Sequence, residues 1–248
     1  MKSSRAIVRL LALLGTLLLV SCIDGHEEFW IRADGSGRAE ITYSLPAAAA
    51  RFQGGAAGVE KLIADFLANT PAISASTHAV TVVDDRLTVS VAADFESVRE
   101  LRKISGNGSM SKLPFSANVL SGDVTLDFGG RDVRASRVIS AGKALPGSSI
   151  LTASQFVGHR LTYVVHLPLA AKASNATRTE DGGRTLVWDF PLLEALRGPL
   201  MLHFEAPVPV PMRWLVGGIA AIVVLVLAVF VLVRKWRRAR RETKSTRR

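Results

Sequence analysis

The chain has 248 residues, 48% of them hydrophobic, with 31 Lys and Arg against 21 Asp and Glu, a net charge of +10 and a single cysteine. One cysteine excludes an internal disulfide and any multi-cysteine metal site. The basic excess sits at the ends, with three basic residues in 1–21 and nine against one acidic residue in 234–248. The chain between them is near neutral, which excludes a nucleic-acid-binding stripe.

Residues 1–21 read as a lipoprotein signal peptide. Lys2, Arg5 and Arg9 precede an apolar run from about Leu10 to Val20. A spanning helix needs about 20 apolar residues, so this run is a signal-peptide core. Leu19, Val20 and Ser21 then form a lipobox with Cys22. Cleavage there makes Cys22 the mature N-terminus, with a diacylglyceryl group on its thiol. One lipid anchor holds reversibly, and stable anchoring takes a second signal.

Residues 22–206 form one extracytoplasmic domain, large enough for a core. Asp24 and His26-Glu27-Glu28 are expected to be a polar tether behind the lipidated cysteine rather than a cation site. Residues 27–33 and 38–45 flank Asp34-Gly35-Ser36-Gly37 as a hairpin. Residues 46–58, rich in Ala and Gly, begin as a short helix and become a flexible link. Residues 59–69 carry Val59, Leu62, Ile63, Phe66 and Leu67 at helical spacing, and Pro71 stops them. Residues 78–83 and 86–93 flank Asp84-Asp85, a second hairpin. Asp94 is the expected N-cap of a short helix through Phe95, Val98, Leu101 and Ile104, which ends at residues 106–109. Residues 123–128 and 160–167 alternate as strands, and further strands follow at 132–139, 184–190 and 200–204, with a helical turn at 192–196. The expected fold class is α+β: a mainly antiparallel sheet of about nine strands with two or three helices.

Residues 207–213, with Pro207, Pro209 and Pro211, read as an extended linker. Residues 214–233 read as one transmembrane helix, its nineteen residues from Leu215 to Val233 carrying no charge. Trp214 and Trp236 mark the two membrane interfaces. The basic tail 234–248 stays in the cytoplasm by the positive-inside rule, which places the domain outside. The expected location is the cytoplasmic membrane, lipid-anchored and single-pass.

Residues 160–188 carry a strand ending in Leu167-Pro168, then Ser174-Asn175, then Asp181-Gly182-Gly183, then a strand bearing Trp188. This resembles the C-terminal half of the LppM-like envelope lipoprotein domain. The lipobox, the early hairpin and the C-terminal membrane helix are similar as well, so the resemblance covers about residues 22–233. It implies a non-enzymatic envelope protein with an apolar groove for lipid, and no catalytic residue. Each motif also has a local physical reading. Proline donates no ladder hydrogen bond and ends a strand. Asp-Gly-Gly is hairpin chemistry. Trp188 is a core anchor. Asn175 is a loop residue suited to the left-handed conformation.

The sequence offers no enzyme signature. His26, His78, His159, His166 and His203 stand at no metal-ligand spacing. His78, His166 and His203 are expected as half-buried strand residues. The Gly35 and Gly54 regions lack phosphate-loop patterns. Asp84-Asp85 is a turn rather than a carboxylate pair. The expectation is a protein with no catalytic residue, metal or cofactor, whose partners are membrane lipids and envelope proteins and no nucleic acid. The alternative is a scaffold or assembly factor of a membrane complex without a small ligand, for which Gly217-Gly218 could give a close helix contact. The oligomeric state is left open.

Overall fold

The computed structural model describes residues 23–100, 122–129, 131–144 and 153–208. Leu19, Val20, Ser21, Cys22, Trp214, Trp236 and the span 214–233 lie outside the described residues, as do residues 101–121. Among the described residues no helix is long and apolar enough to cross a membrane.

Two sheets carry the fold. The first joins β1 (Asp24–Ile31), β2 (Gly37–Pro46), β3 (Ile73–Val83), β4 (Arg86–Phe95), β7 (Arg160–His166), β9 (Arg178–Glu180) and β10 (Thr185–Pro191) in the order β3-β4-β2-β1-β7-β10-β9. The second joins β5 (Asp123–Gly129), β6 (Asp132–Ile139), β8 (Ala173–Ser174) and β11 (Leu200–Pro207) in the order β5-β6-β11-β8. All pairs are antiparallel except β1 with β7. Among the described residues the helices include α1 (Gly55–Ala68), α2 (Ala141–Ala144) and α3 (Leu192–Arg197), and a further helix begins at Val98. The fold is therefore α+β, with sheets that are mostly antiparallel.

Period-2 alternation decides which side chains go inside. On β7 and β10, Leu161, Tyr163, Leu186 and Trp188 point into the core, where Ile139, Leu200, Leu202 and Ala206 of the second sheet and Leu192 and Ala195 of α3 meet them. This core lies over the β7–β10 end of the large sheet. At the other end α1 packs against β3 and buries Leu67.

Several expectations change. The tether expected at Asp24–Glu28 is strand β1, paired to β2 on one side and β7 on the other. The flexible link expected through Gly58 is ordered: residues 47–53 form a 3-10 helix, Gly54 turns with φ of 86°, and α1 starts at Gly55. Asp94 does not cap a helix, because β4 runs through Phe95. Ser97 takes that role, its hydroxyl accepting from the Arg99 N–H at 3.3 Å. Pro207 ends β11 opposite Asp132 rather than opening a linker. Asn175 is not among the residues with positive φ; Asp84, Asp85 and Asp181 are.

Candidate functional site

Three arrangements concentrate polar or concave chemistry. The first is buried between the sheets. Glu27 on β1 points inward and is 3% exposed. Arg137 on β6 of the second sheet donates to both its oxygens, at 2.5 and 3.0 Å, and the Tyr43 hydroxyl donates to Oε1 at 2.5 Å. The Arg137 guanidinium also lies 5.0 Å from the Tyr163 ring centroid. Tyr43 reaches Glu27 because Gly25 has no side chain: a Cβ there would meet the Tyr43 ring at 2.5 Å and Leu161 at 2.9 Å. Burial works against the charge of Arg137, but the charge and hydrogen bonds of Glu27 outweigh it and hold the guanidinium above its ordinary value. Burial, then the Glu27 carboxylate, pushes the Tyr43 and Tyr163 phenols well above theirs. Arg137 therefore stays charged and both phenols stay neutral, and the cluster bolts one sheet to the other. Sequence reasoning missed them. Arg137 shares a strand face with buried Ala135 and Ile139, but nothing local marks its partner.

The second arrangement lies on the opposite face of the large sheet, where β1, β7 and β10 bring Glu28, His166 and Thr185 into a row. His166 Nε2 is 2.6 Å from Glu28 Oε1, and its Nδ1 is 3.1 Å from Thr185 Oγ1. Trp30 stacks on the His166 ring at 5.2 Å, 7° from parallel. His26 approaches the other Glu28 oxygen at 3.4 Å. Carboxylate, imidazole and hydroxyl in a chain resemble the parts of an activated nucleophile. However, Thr185 is 7% exposed and opposes His166 directly in the β7–β10 ladder, so an acyl substrate has no approach to its oxygen. The row is a cross-strand polar ladder. A similar cluster at the start of β1 ties Asp24 to His159 at 3.0 Å and to Arg86 at 3.0 Å. Among the described residues no group of three or more His, Cys, Asp or Glu could hold a metal ion.

The third is a groove of about 280 Å³ between α1 and β3, lined by Ala64, Leu67, Ala68, Ile73, Ser74, Ala75, Ser76 and His78. Small side chains leave the space, Ala64 and Ala68 on α1 and Ser74, Ala75 and Ser76 on β3. The apolar stripe of α1 was legible in the sequence; that His78 would border a groove was not.

The segment behind the family resemblance also takes on a physical meaning. Trp188 is buried in the core, as expected of an anchor, and its ring lies 6.3 Å from Phe204. Its indole N–H donates to Asn175 Oδ1 at 2.9 Å. The same oxygen accepts from the His203 N–H at 2.7 Å, and Asn175 Nδ2 donates to the Met201 carbonyl at 2.7 Å. Asn175 therefore pins the Trp188 strand to β11. Asp181, Gly182 and Gly183, with φ of 52°, 63° and 87°, make the turn between β9 and β10.

No protein-family model and no curated protein matches this sequence. Among solved structures, the NMR structure of the folded domain of the Mycobacterium tuberculosis LppM protein is similar, at 11% identity and a TM-score of 0.49, over 77% of this chain and 93% of that one.

Proposed function

We propose that this chain is a non-enzymatic envelope lipoprotein of the cytoplasmic membrane, anchored through Cys22 and residues 214–233, whose domain binds lipid or glycolipid at the outer face of that membrane. The observation that carries the reading is the groove between α1 and β3. Leu67, Ile73 and three alanines offer it hydrocarbon surface, while Ser74, Ser76 and His78 offer polar contacts to a headgroup. Small-molecule sites usually span about 300–1,000 Å³. A groove of about 280 Å³ suits one acyl chain better than both chains of a diacyl lipid. The polar clusters lend no support to a catalytic reading, since their groups are paired with each other inside or across the sheets.

The test is intact mass measurement of full-length protein, extracted in mild detergent under conditions that retain bound lipid. The expected mass begins at Cys22, carries acyl chains on it and includes one further non-covalent lipid. Ala64→Phe with Ala68→Phe fills the groove and should remove the non-covalent mass while leaving the covalent one. Acylated wild type without bound lipid would sink the lipid reading and favour an assembly factor, which should co-extract with companion proteins.

A further inference from the structure

An exposed strand edge is a row of unpaired N–H and C=O groups that templates another strand, and proteins guard such edges with charge, proline, bulges or shortness. Among the described residues the two sheets have four edges, and three of them are guarded. β5 carries Asp123 and Asp127, both exposed. β8 has two residues, and β9 has three that include Arg178 and Glu180. The fourth edge, β3, runs for 11 residues with no charge and no proline. Eight of its residues are exposed, among them Val82 at 50% and Val83 at 65%, so most of the strand lies open to solvent. Its one irregularity is a register shift between Ile73 and Ala75. That bulge ends regular pairing at one end and leaves residues 75–83 as an unguarded run.

We propose that two copies of this chain associate edge to edge through β3, antiparallel about a two-fold axis at Ala79. A second copy fits this edge for three reasons. An antiparallel strand is its own complement under a two-fold rotation, since each copy offers the same alternation of donors and acceptors. Pairing residues 75–83 about their centre sets Thr77 opposite Thr81 of the second copy, twice, with Ala79 opposite its counterpart. Thr–Thr pairs are favourable across strands, and the small alanine meets no clash at the axis. Finally, no charged side chain lies in the seam, so self-pairing sets no like charges together, whereas a charged peptide would find no counter-charge on β3. Pairing uses the unguarded edge of each copy, so assembly closes at two. The proposal does not depend on lipid binding.

The test is the mass of full-length protein in mild detergent, by sedimentation over a concentration series. A reversible dimer is expected. Thr77→Lys with Thr81→Lys sets two lysine pairs across the seam and should weaken the dimer at least about tenfold. Thr77→Glu with Thr81→Glu should do the same alone. Mixing the two variants should restore association as a heterodimer, which a merely misfolded variant could not do. A monomer at every concentration, a dimer indifferent to the lysines, or open-ended growth would overturn the proposal. So would a complex with a different protein that the lysine changes abolish, which would give the edge to another partner.

Discussion

Asn175 is exposed, yet its amide makes three hydrogen bonds that join the core tryptophan to β11. Asn175→Ala leaves the indole N–H inside the core with no acceptor. A buried donor stripped of its partner costs about 1–3 kcal/mol. Urea unfolding of Asn175→Ala should show a loss of that size, and the loss should shrink when Trp188→Phe is already present, because the main orphan is gone. Equal losses in both backgrounds would assign the stability to the β11 contacts instead. The spacing of Asn175 and Trp188 was visible in the sequence and the burial of Trp188 followed from its strand. The hydrogen bond was not visible, because it depends on β11 passing beside both residues, and a loop asparagine looks the same whether or not it has partners.

Among elements, the strands that alternate cleanly were legible, including β2, β5 and β7, and β6 and β10 were legible as strands after their turns. So was the apolar stripe of α1. β8 and β9 were not, since two or three residues are too short to show a period and owe their form to the neighbour they pair with. β1 starts three residues earlier than expected because Asp24, His26 and Glu28 lie on the face away from the core and Glu27 is hidden by an ion pair, so the stretch reads as polar. The turn between β3 and β4 shows the opposite case. Asp84-Asp85 was expected as a turn, and both residues have positive φ, at 48° and 60°. Two left-handed residues in a two-residue hairpin favour Asn-Gly over Asp-Asp. Asp84→Asn with Asp85→Gly should therefore raise stability by about 0.5–1 kcal/mol, read as an increased urea midpoint with unchanged slope. A fall in the midpoint would mean that the carboxylates make contacts that outweigh the backbone preference.

At the scale of the molecule, Glu27 and Arg137 are 110 positions apart and bolt the two sheets together, with 4% and 14% of their side chains exposed. Removing one partner of a buried ion pair typically costs about 3–5 kcal/mol, while replacing both with apolar groups costs much less. Arg137→Met should lose stability in that range by urea unfolding, and Glu27→Leu with Arg137→Met should recover much of it. A double variant as unstable as the single one would show that Tyr43 and the packing around the pair, rather than the orphaned charge, hold the sheets. The sequence by itself raised the expectation of a lipobox at Cys22, and it determined the uncharged span at 214–233, the near-neutral stretch between them and the α+β character of that stretch. Each of these rests on local composition or on periodicity along the chain. Only the tertiary structure decided that Glu27 is buried, that β1 pairs in parallel with β7, that Asn175 holds Trp188, and that β3 is left as an unguarded edge beside the α1 groove. Each of those depends on which distant segment arrives as the neighbour, and a side chain read along the chain carries no record of what will pack across from it.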